Sequence, residues 1–193
     1  MSTIAQPVVY SDTLPIPRIK ARSAILVVGF ALLTALAAQI EISLGFTPVP
    51  LTLQTLAVVV AGATLGSRLG AMSIGLYMLA GLVLPFYAGG EKGWEYATGA
   101  TGGYLVGMIV AAYLVGLLAE RRQDRSVLTS IPAMLFGSAV VYAFGAPWLA
   151  HIADLSAVQA VEKGIEPFVV GDFVKSIVAG GLMPLAWKIT DRK

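Results

Sequence analysis

Six long apolar segments, separated by short polar or glycine- and proline-rich connections, dominate the hydrophobic pattern of the chain. They cover about residues 23–44, 51–65, 69–84, 101–119, 127–144 and 168–189. The hydrocarbon core of a bilayer takes about 20 consecutive apolar residues of α-helix, and long runs with few charges are typical of membrane spans. The pattern therefore predicts an all-α integral membrane protein with six transmembrane helices, forming one membrane domain over residues 18–193.

The segment before the first apolar run predicts a cytoplasmic tail. Residues 1–17 are polar, contain three prolines and lack helical periodicity, which favours a flexible chain. Basic residues then precede the run, as in a signal peptide, and residues 35–37 offer a small-x-small cleavage pattern. The run is longer than a signal core and begins unusually late, so we expect an uncleaved first span.

Prolines and glycines predict where the later helices end. Two prolines in residues 45–50 break the helix before the second run. Residues 145–147, Gly-Ala-Pro, predict that the fifth helix is broken or weakened there, which leaves its end open by several residues. Within the polar segment 151–167, residues 156–162 favour a short amphipathic helix. Glycines and a proline in residues 180–184 predict a kink in the sixth span.

Composition supports a membrane protein and excludes several kinds of chemistry. Hydrophobic residues make up 57% of the chain and charged residues 12%, with a mean hydropathy of +0.81. The absence of cysteine excludes disulfides and thiolate sites, and the lone His151, which we place in a loop, cannot form a histidine-rich metal site. The Gly-x4-Gly-Lys-Ser/Thr phosphate loop is also absent from the sequence, so any use of ATP would need a partner.

The distribution of basic residues predicts the orientation. Ten of the 13 lysines and arginines fall on the side of the termini, two on the other side and one, Lys175, within a span. The ten are Arg18, Lys20, Arg22, Arg68, Arg121, Arg122, Arg125, Lys188, Arg192 and Lys193. Basic residues concentrate on the cytoplasmic side of membrane proteins, so both termini are predicted to lie in the cytoplasm of a prokaryotic-type cell.

Asp172 and Lys175 are the most unusual pair in the apolar segments. They lie three residues apart near the start of the sixth span, so a helix places them on one face. Charged groups within a span are costly and usually face a partner or a polar cavity. The pair is therefore either a self-neutralising ion pair that orients the helix or a ligand site with one acceptor and one donor.

Other polar features converge on the same side of the predicted bilayer and favour a ligand site. Gln54 lies near the start of the second span, beside the turn 47–50, and the long glycine-rich loop 85–100 is on the same outer side. Long loops of this kind are often functional, and glycines expose backbone N–H groups. The aromatic residues of the loop suit either a site or an interfacial belt.

Four ordered motifs closely resemble the BioY family, the biotin-binding S components of energy-coupling factor (ECF) transporters. The motifs are FTPVPLTLQTLA at 46–57, YAGG at 87–90, TGGY at 101–104 and GDFVK at 171–175. The resemblance runs from about residue 24 to residue 185 and implies a six-helix S-component bundle that binds biotin near the outer face. It also implies a transmembrane coupling protein and two cytoplasmic ATPases as partners. Ala31 and Ala35 match the spacing of small residues with which a first helix docks on the coupling protein.

Under this resemblance, Asp172 would accept from the ureido N–H groups of biotin and Lys175 would donate to the ureido carbonyl, although Lys175 could instead bind the valerate carboxylate. Gln54 and Tyr104 are further candidate hydrogen-bonding groups, and Trp94 or Tyr87 could cover the rings. The full predicted ligand-binding set is Gln54, Tyr87, Gly89, Gly90, Lys92, Trp94, Thr98, Thr101, Gly102, Tyr104, Asp172 and Lys175.

The loop departs from the family pattern at Ala100, where a proline is expected, and acids flank Lys92. The group that holds the ligand carboxylate is therefore open between Lys92, the loop N–H groups and the Thr98 hydroxyl.

Three classes of function compete. The first is a transport subunit without catalytic activity, cofactor, metal or nucleic acid, whose energy comes from ATPase partners. The second is an intramembrane enzyme with Asp172 as acid or base, which its ready partner Lys175 disfavours by holding the carboxylate ionised. The third is a stand-alone carrier that acts as a homo-oligomer without an ATPase.

Overall fold

The computed structural model of the chain describes residues 9–13 and 21–190. The described part is mainly helical. Its α-helices are α1 (Arg22–Ala38), α2 (Gln54–Leu65), α3 (Ser67–Gly81), α4 (Trp94–Thr98), α5 (Gly102–Glu120), α6 (Val127–Ile152), α7 (Ala157–Gly164) and α8 (Glu166–Thr190). Strand β1 (Glu41–Ile42) pairs antiparallel with β2 (Leu51–Thr52) in the turn between α1 and α2. Short 3₁₀ turns cover Tyr10–Thr13 and Ala88–Gly90.

Helix α5 lies at the centre of the bundle. Helix α5 packs against α2, α3 and α6. Helix α8 packs against α2 and α6. Close approach of α2 and α5 depends on Gly62, where an added Cβ would lie 2.4 Å from the carbonyl oxygen of Ala112. Gly62, Gly66 and Gly70 follow one another at four-residue spacing, a pattern that permits close helix approach in membranes.

Within the described ranges 9–13 and 21–190, three helices are long and apolar enough, by length and composition, to cross a membrane. They are α5, α6 and α8, and α1 and α2 are shorter apolar helices. Large apolar side chains are exposed on the outside of the bundle, for example Leu36, Leu128 and Val170 at 67%, 86% and 74%. Exposed apolar surface on this scale is rare on soluble monomers and suits contact with lipid.

The predicted helix boundaries need correction at two places. The first apolar run ends as a helix at Ala38, because the chain turns there into β1. The predicted break at residues 145–147 is wrong, since α6 continues through Pro147 to Ile152 and places His151 in its last turn instead of a loop. A proline removes one helical donor, and here tight packing sustains the helix: a Cβ on Gly103 would lie 2.3 Å from Cβ of Trp148.

The short helix predicted for residues 156–162 is confirmed as α7. The Ser156 hydroxyl accepts from the backbone N–H of Gln159, and the Gln159 side chain accepts from the N–H of Ser156. This reciprocal capping box satisfies two N–H groups at the helix start. Helix α8 follows after Ile165 and contains Pro184 within its length.

A cluster of side chains joins the connection between α5 and α6 to the end of α8 and to the N-terminal segment. We call Tyr10, Asp124, Arg125 and Trp187 the hinge cluster. The Trp187 indole donates to Asp124 Oδ2 at 2.6 Å, the Arg125 guanidinium lies 3.6 Å from the Trp187 ring centre, and Tyr10 packs edge-on against Trp187. Residues 9–13 are therefore packed, unlike the flexible tail predicted for 1–17, of which residues 1–8 and 14–17 lie outside the described residues.

Candidate functional site

A cavity lies between α2, α5, α6 and α8, next to β2 and the loop that carries α4. Small-molecule sites in proteins are mainly apolar with a few placed polar groups. The apolar lining residues are Val49, Pro50, Leu51, Leu105, Met108, Val141 and Phe168. The polar or amphipathic lining residues are Thr52, Gln54, Thr55, Tyr96, Thr101, Tyr104, Tyr142, Asp172 and Lys175.

The charged pair on α8 points into this cavity. Lys175 Nζ lies 2.7 Å from Asp172 Oδ1, and the two side chains are only 11% and 4% exposed. Burying two charges is costly, and a buried pair persists when further hydrogen bonds satisfy the remaining positions. The helical spacing that the sequence suggested thus places both groups on one face, at the wall of the cavity.

Thr55 and Tyr142 complete the polar network. The Thr55 hydroxyl donates to Asp172 Oδ1 at 2.8 Å and accepts from Lys175 Nζ at 3.1 Å. The Tyr142 hydroxyl donates to Asp172 Oδ2 at 2.5 Å. The carboxylate is therefore held from α2 and α6 as well as by its own helix.

Gln54 lies at the start of α2 in a second buried network. Its Oε1 accepts from the Thr52 hydroxyl at 3.0 Å, and its Nε2 donates to the Tyr77 hydroxyl at 2.7 Å. Gln54 is 5% exposed and lines the cavity. These two hydrogen bonds fix the orientation of the Gln54 amide. The fold therefore also sets the direction of the donor and acceptor positions that the amide has not used.

Tyr104 is wedged between two glycines. Its hydroxyl donates to the carbonyl oxygen of Gly164 at 2.7 Å, which connects α5 to the end of α7. A Cβ on Gly145 would lie 2.3 Å from the Tyr104 ring, and one on Gly164 would lie 2.6 Å from its hydroxyl. This ring therefore has a defined position in the cavity wall.

The loop between α3 and α5 contributes Tyr96 to the cavity. The Tyr96 ring stacks on Tyr87 with centroids 4.9 Å apart, and Tyr87 in turn packs edge-on against Tyr77. Burial raises the pKa of Tyr96 to about 12, so its hydroxyl stays protonated at neutral pH. Trp94, in contrast, is 71% exposed and does not line the cavity.

The structure brings five of the predicted site residues to the cavity: Gln54, Thr101, Tyr104, Asp172 and Lys175. The other seven predicted residues do not line the cavity. Six lie in the loop 85–100 and the seventh is Gly102 at the start of α5; the six are Tyr87, Gly89, Gly90, Lys92, Trp94 and Thr98.

Three of the residues outside the cavity have other structural surroundings. Tyr87 is buried behind Tyr96 and donates to the Met78 carbonyl oxygen, while Thr98 donates to the Trp94 carbonyl oxygen. Lys92 lines a separate surface depression with Glu91, Glu95 and Tyr96. The predicted set therefore combined a cavity with parts of its surrounding loop.

Sequence reasoning missed the two hydroxyl groups that hold Asp172. Thr55 directly follows Gln54, so its place near the turn was a usable signal. Tyr142 lies among apolar residues of the fifth run, where a tyrosine also suits an interfacial or core position. Pairing either residue with Asp172 required the arrangement of three helices.

The docking role of Ala31 and Ala35 stays a prediction, and both residues are buried within this chain. They are 3% and 6% exposed and belong to the core of this chain, where α1 packs against α3. Small residues at four-residue spacing permit close helix packing within a bundle as readily as between chains. The exposed face of α1 carries Leu32, Leu33 and Leu36 instead.

The fold is that of a helical membrane-protein bundle with a buried polar pair at the wall of a cavity. The BioY family model matches residues 11–192, and the chain belongs to the BioY family.

Curated relatives agree with this family. The biotin transporter BioY of Rhizobium etli is 38% identical over 77% of this chain and 83% of its own length. A probable biotin transporter BioY of Pyrococcus horikoshii is 40% identical over 83% of this chain and 93% of its own. These relatives are named as transport proteins, in agreement with the expectation of a transport subunit instead of an enzyme.

A solved structure shares the fold. It is described as the S-component for biotin from an ECF-type ABC transporter, and it superposes with a TM-score of 0.81 at 24% identity. The likeness covers 91% of this chain and 95% of the other chain. The predicted S-component-like bundle is therefore confirmed as a fold.

Proposed function

We propose that the protein is a high-affinity biotin-binding membrane subunit that mediates biotin uptake in the cell membrane. The buried Asp172–Lys175 pair at the wall of the cavity carries this proposal. A buried carboxylate and ammonium beside an apolar space match a ligand with an N–H and C=O group on a compact apolar ring system. The ureido and thiophane rings of biotin have this combination.

In the proposed complex, Asp172 accepts from ureido N–H and Lys175 donates to the ureido carbonyl. Gln54, Thr101 and Tyr104 contribute further polar groups, and Tyr96 contacts the apolar face of the ring system from the loop side. A site built around such fixed partners discriminates strongly against analogues that lack them. The valerate carboxylate then extends towards the loop 85–100, where Lys92 is the nearest basic residue in sequence to Tyr96.

The proposed topology has six spans with both termini in the cytoplasm, which places the cavity in the outer half of the membrane. The distribution of basic residues supports it. The chain contains no cysteine, so single cysteines can be introduced without background. In intact cells, a membrane-impermeant maleimide should label Lys92→Cys and Asp154→Cys but not Arg121→Cys. Labelling of the last variant from outside would reverse the proposed orientation.

For energy supply, we propose a transmembrane coupling protein and two cytoplasmic ATPases as partners. The solved relative is described as part of an ECF-type ABC transporter, and this chain lacks a phosphate loop. Proteoliposomes that contain this protein alone should bind but not accumulate biotin. Accumulation in those vesicles would favour the alternative of a stand-alone, homo-oligomeric carrier.

The direct test is biotin binding to the purified protein and to Asp172→Asn and Lys175→Ala, with dethiobiotin as competitor. Both variants should lose at least about 100-fold in affinity, because each leaves a buried polar group without its partner. Tyr113→Phe, a change at a half-exposed position on α5 away from the cavity, serves as the control. Unchanged binding in both charge variants would move the site away from the pair.

A further inference from the structure

The direction of each hydrogen bond around Asp172 follows from the chemistry of the groups. An ammonium has only donors, so Lys175 donates both to Asp172 Oδ1 at 2.7 Å and to Thr55 Oγ1 at 3.1 Å. An ionised carboxylate only accepts, so the Thr55 hydroxyl donates to Oδ1 at 2.8 Å. Thr55 thus bridges the two charges and closes a ring of three hydrogen bonds.

Tyr142 holds the second carboxylate oxygen from another helix. Its hydroxyl donates to Asp172 Oδ2 at 2.5 Å, within the range of about 2.5–2.7 Å typical of O–H···O⁻ bonds. Thr55 belongs to α2 and Tyr142 to α6, so the carboxylate on α8 is held from two directions. The orientation of its plane is therefore set by the bundle.

These contacts leave few open positions. A carboxylate accepts about four hydrogen bonds, two on each oxygen. Oδ1 already accepts from Thr55 and Lys175, and Oδ2 accepts from Tyr142, which leaves one position on Oδ2. Lys175 has three donors, of which two are used, which leaves one. All four side chains line the cavity.

We propose that Thr55 and Tyr142 are positioning residues that fix what the Asp172–Lys175 pair presents to a ligand: one acceptor beside one donor. This pattern complements one edge of a cyclic urea, where an N–H group lies beside the carbonyl. The second N–H then meets a group other than Asp172. The inference rests on the proposed biotin-binding function and narrows it, because Asp172 accepts from one ureido N–H instead of both.

The test is a cycle of protein variants and ligands. Affinities of the full-length protein for biotin and for its two mono-N-methyl ureido derivatives are measured before and after Tyr142→Phe. The variant should lower the affinity for biotin and for one derivative by about tenfold, which is the effect of losing a charge-assisted hydrogen bond. Tyr142→Phe should lower the affinity for the derivative that lacks the N–H facing Oδ2 by twofold at most, because the hydrogen bond from that N–H to Oδ2 is already lost.

Two substitutions, one that removes the hydroxyl and one that keeps it, test the role of Thr55. Thr55→Val removes the bridging hydroxyl and should weaken biotin at least about tenfold, whereas Thr55→Ser keeps it and should stay within about threefold. Thr64→Val, a buried threonine on the same helix away from the cavity, controls for the loss of a hydroxyl in α2. Each variant is first shown to be monodisperse, with a melting temperature close to that of the unmodified protein.

The outcomes separate the two proposals. Equal losses for all three ligands in Tyr142→Phe, or failure of Thr55→Ser to restore affinity, would show that these residues only pack and would overturn the inference. The biotin-binding function would stand in that case. Absence of biotin binding to the unmodified protein would overturn both.

Discussion

Two buried carboxylates lie near opposite ends of α8, and their surroundings stabilise them in different ways. Asp172 is 3% exposed and is neutralised by Lys175, with Thr55 and Tyr142 as further donors. Asp124 is 2% exposed and accepts from the Trp187 indole in the hinge cluster. Residues 172 and 187 are about 22 Å apart along the helix, at 1.5 Å per residue.

The difference shows what separates the proposed ligand site from a structural contact. Around Asp172, the surrounding groups leave open hydrogen-bonding positions that face a cavity. Around Asp124, aromatic rings and the Arg125 guanidinium fill the space, and burial raises the pKa of the carboxyl above its ordinary value. Burial of a charged group alone does not indicate a site; an adjacent cavity does.

Removing the Lys175 ammonium beside Asp172 should have the largest effect on stability and on biotin affinity. Lys175→Ala leaves Asp172 buried without a counter-charge, and such a change typically costs about 3–5 kcal/mol of stability. Biotin affinity should fall by at least about 100-fold. Calorimetry and thermal unfolding measure the two effects separately.

The double variant Asp172→Asn/Lys175→Met sharpens this prediction. It removes both charges, so most of the lost stability should return while binding stays abolished. Recovery of binding in the double variant would show that the charges are not the ligand groups.

Filling the slot behind Tyr104 should have the next largest effect, confined to the cavity. Gly145→Ala introduces a Cβ within 2.3 Å of the Tyr104 ring, and overpacking of this kind costs about 1–3 kcal/mol. Displacement of the ring should lower biotin affinity by about tenfold. Gly75→Ala, where an added Cβ meets nothing within 4 Å, should leave affinity unchanged and raise stability by up to about 1 kcal/mol, the helix-propensity gain of alanine over glycine.

At the hinge cluster, Trp187→Phe should lower stability without changing binding. The variant removes the donor to Asp124 Oδ2 and leaves a buried carboxylate oxygen unsatisfied, at a cost of about 1–3 kcal/mol. Biotin affinity should stay within about twofold. A large loss of affinity would mean that the two ends of α8 are coupled and that the hinge cluster is more than a structural contact.

The smallest effect is expected for Asp124→Asn, and its sign depends on pH. Because the pKa of Asp124 is raised in the folded state, the folded protein binds a proton more readily than the unfolded chain. Stability therefore falls as pH rises from the unfolded value near 3.8 through the folded value. Asparagine does not titrate, so the melting temperature of the variant should lack this decline and lie slightly higher at neutral pH. Identical pH profiles for both proteins would contradict the proposed role of burial.

Several features of the protein were predictable because they are local in sequence. Three residues of helix bring Asp172 and Lys175 to one face whatever surrounds them, and the capping box of α7 depends on two residues three positions apart. The apolar runs predicted helices for the same reason, although the turn into β1 and the continuation of α6 through Pro147 depended on neighbouring elements. Motif order identified the family.

The tertiary structure decided which polar groups meet. Thr55 reaches Asp172 across 117 residues of chain and Tyr142 across 30, so no periodicity in the sequence relates them. In the loop, Tyr96 faces the cavity while Trp94, two residues away, faces outward, although both are aromatic. Helix packing also placed Ala31 and Ala35 in the core of the bundle. Local geometry fixes which side chains share a helix face, but only the packing of α2, α5, α6 and α8 determines what each face contacts.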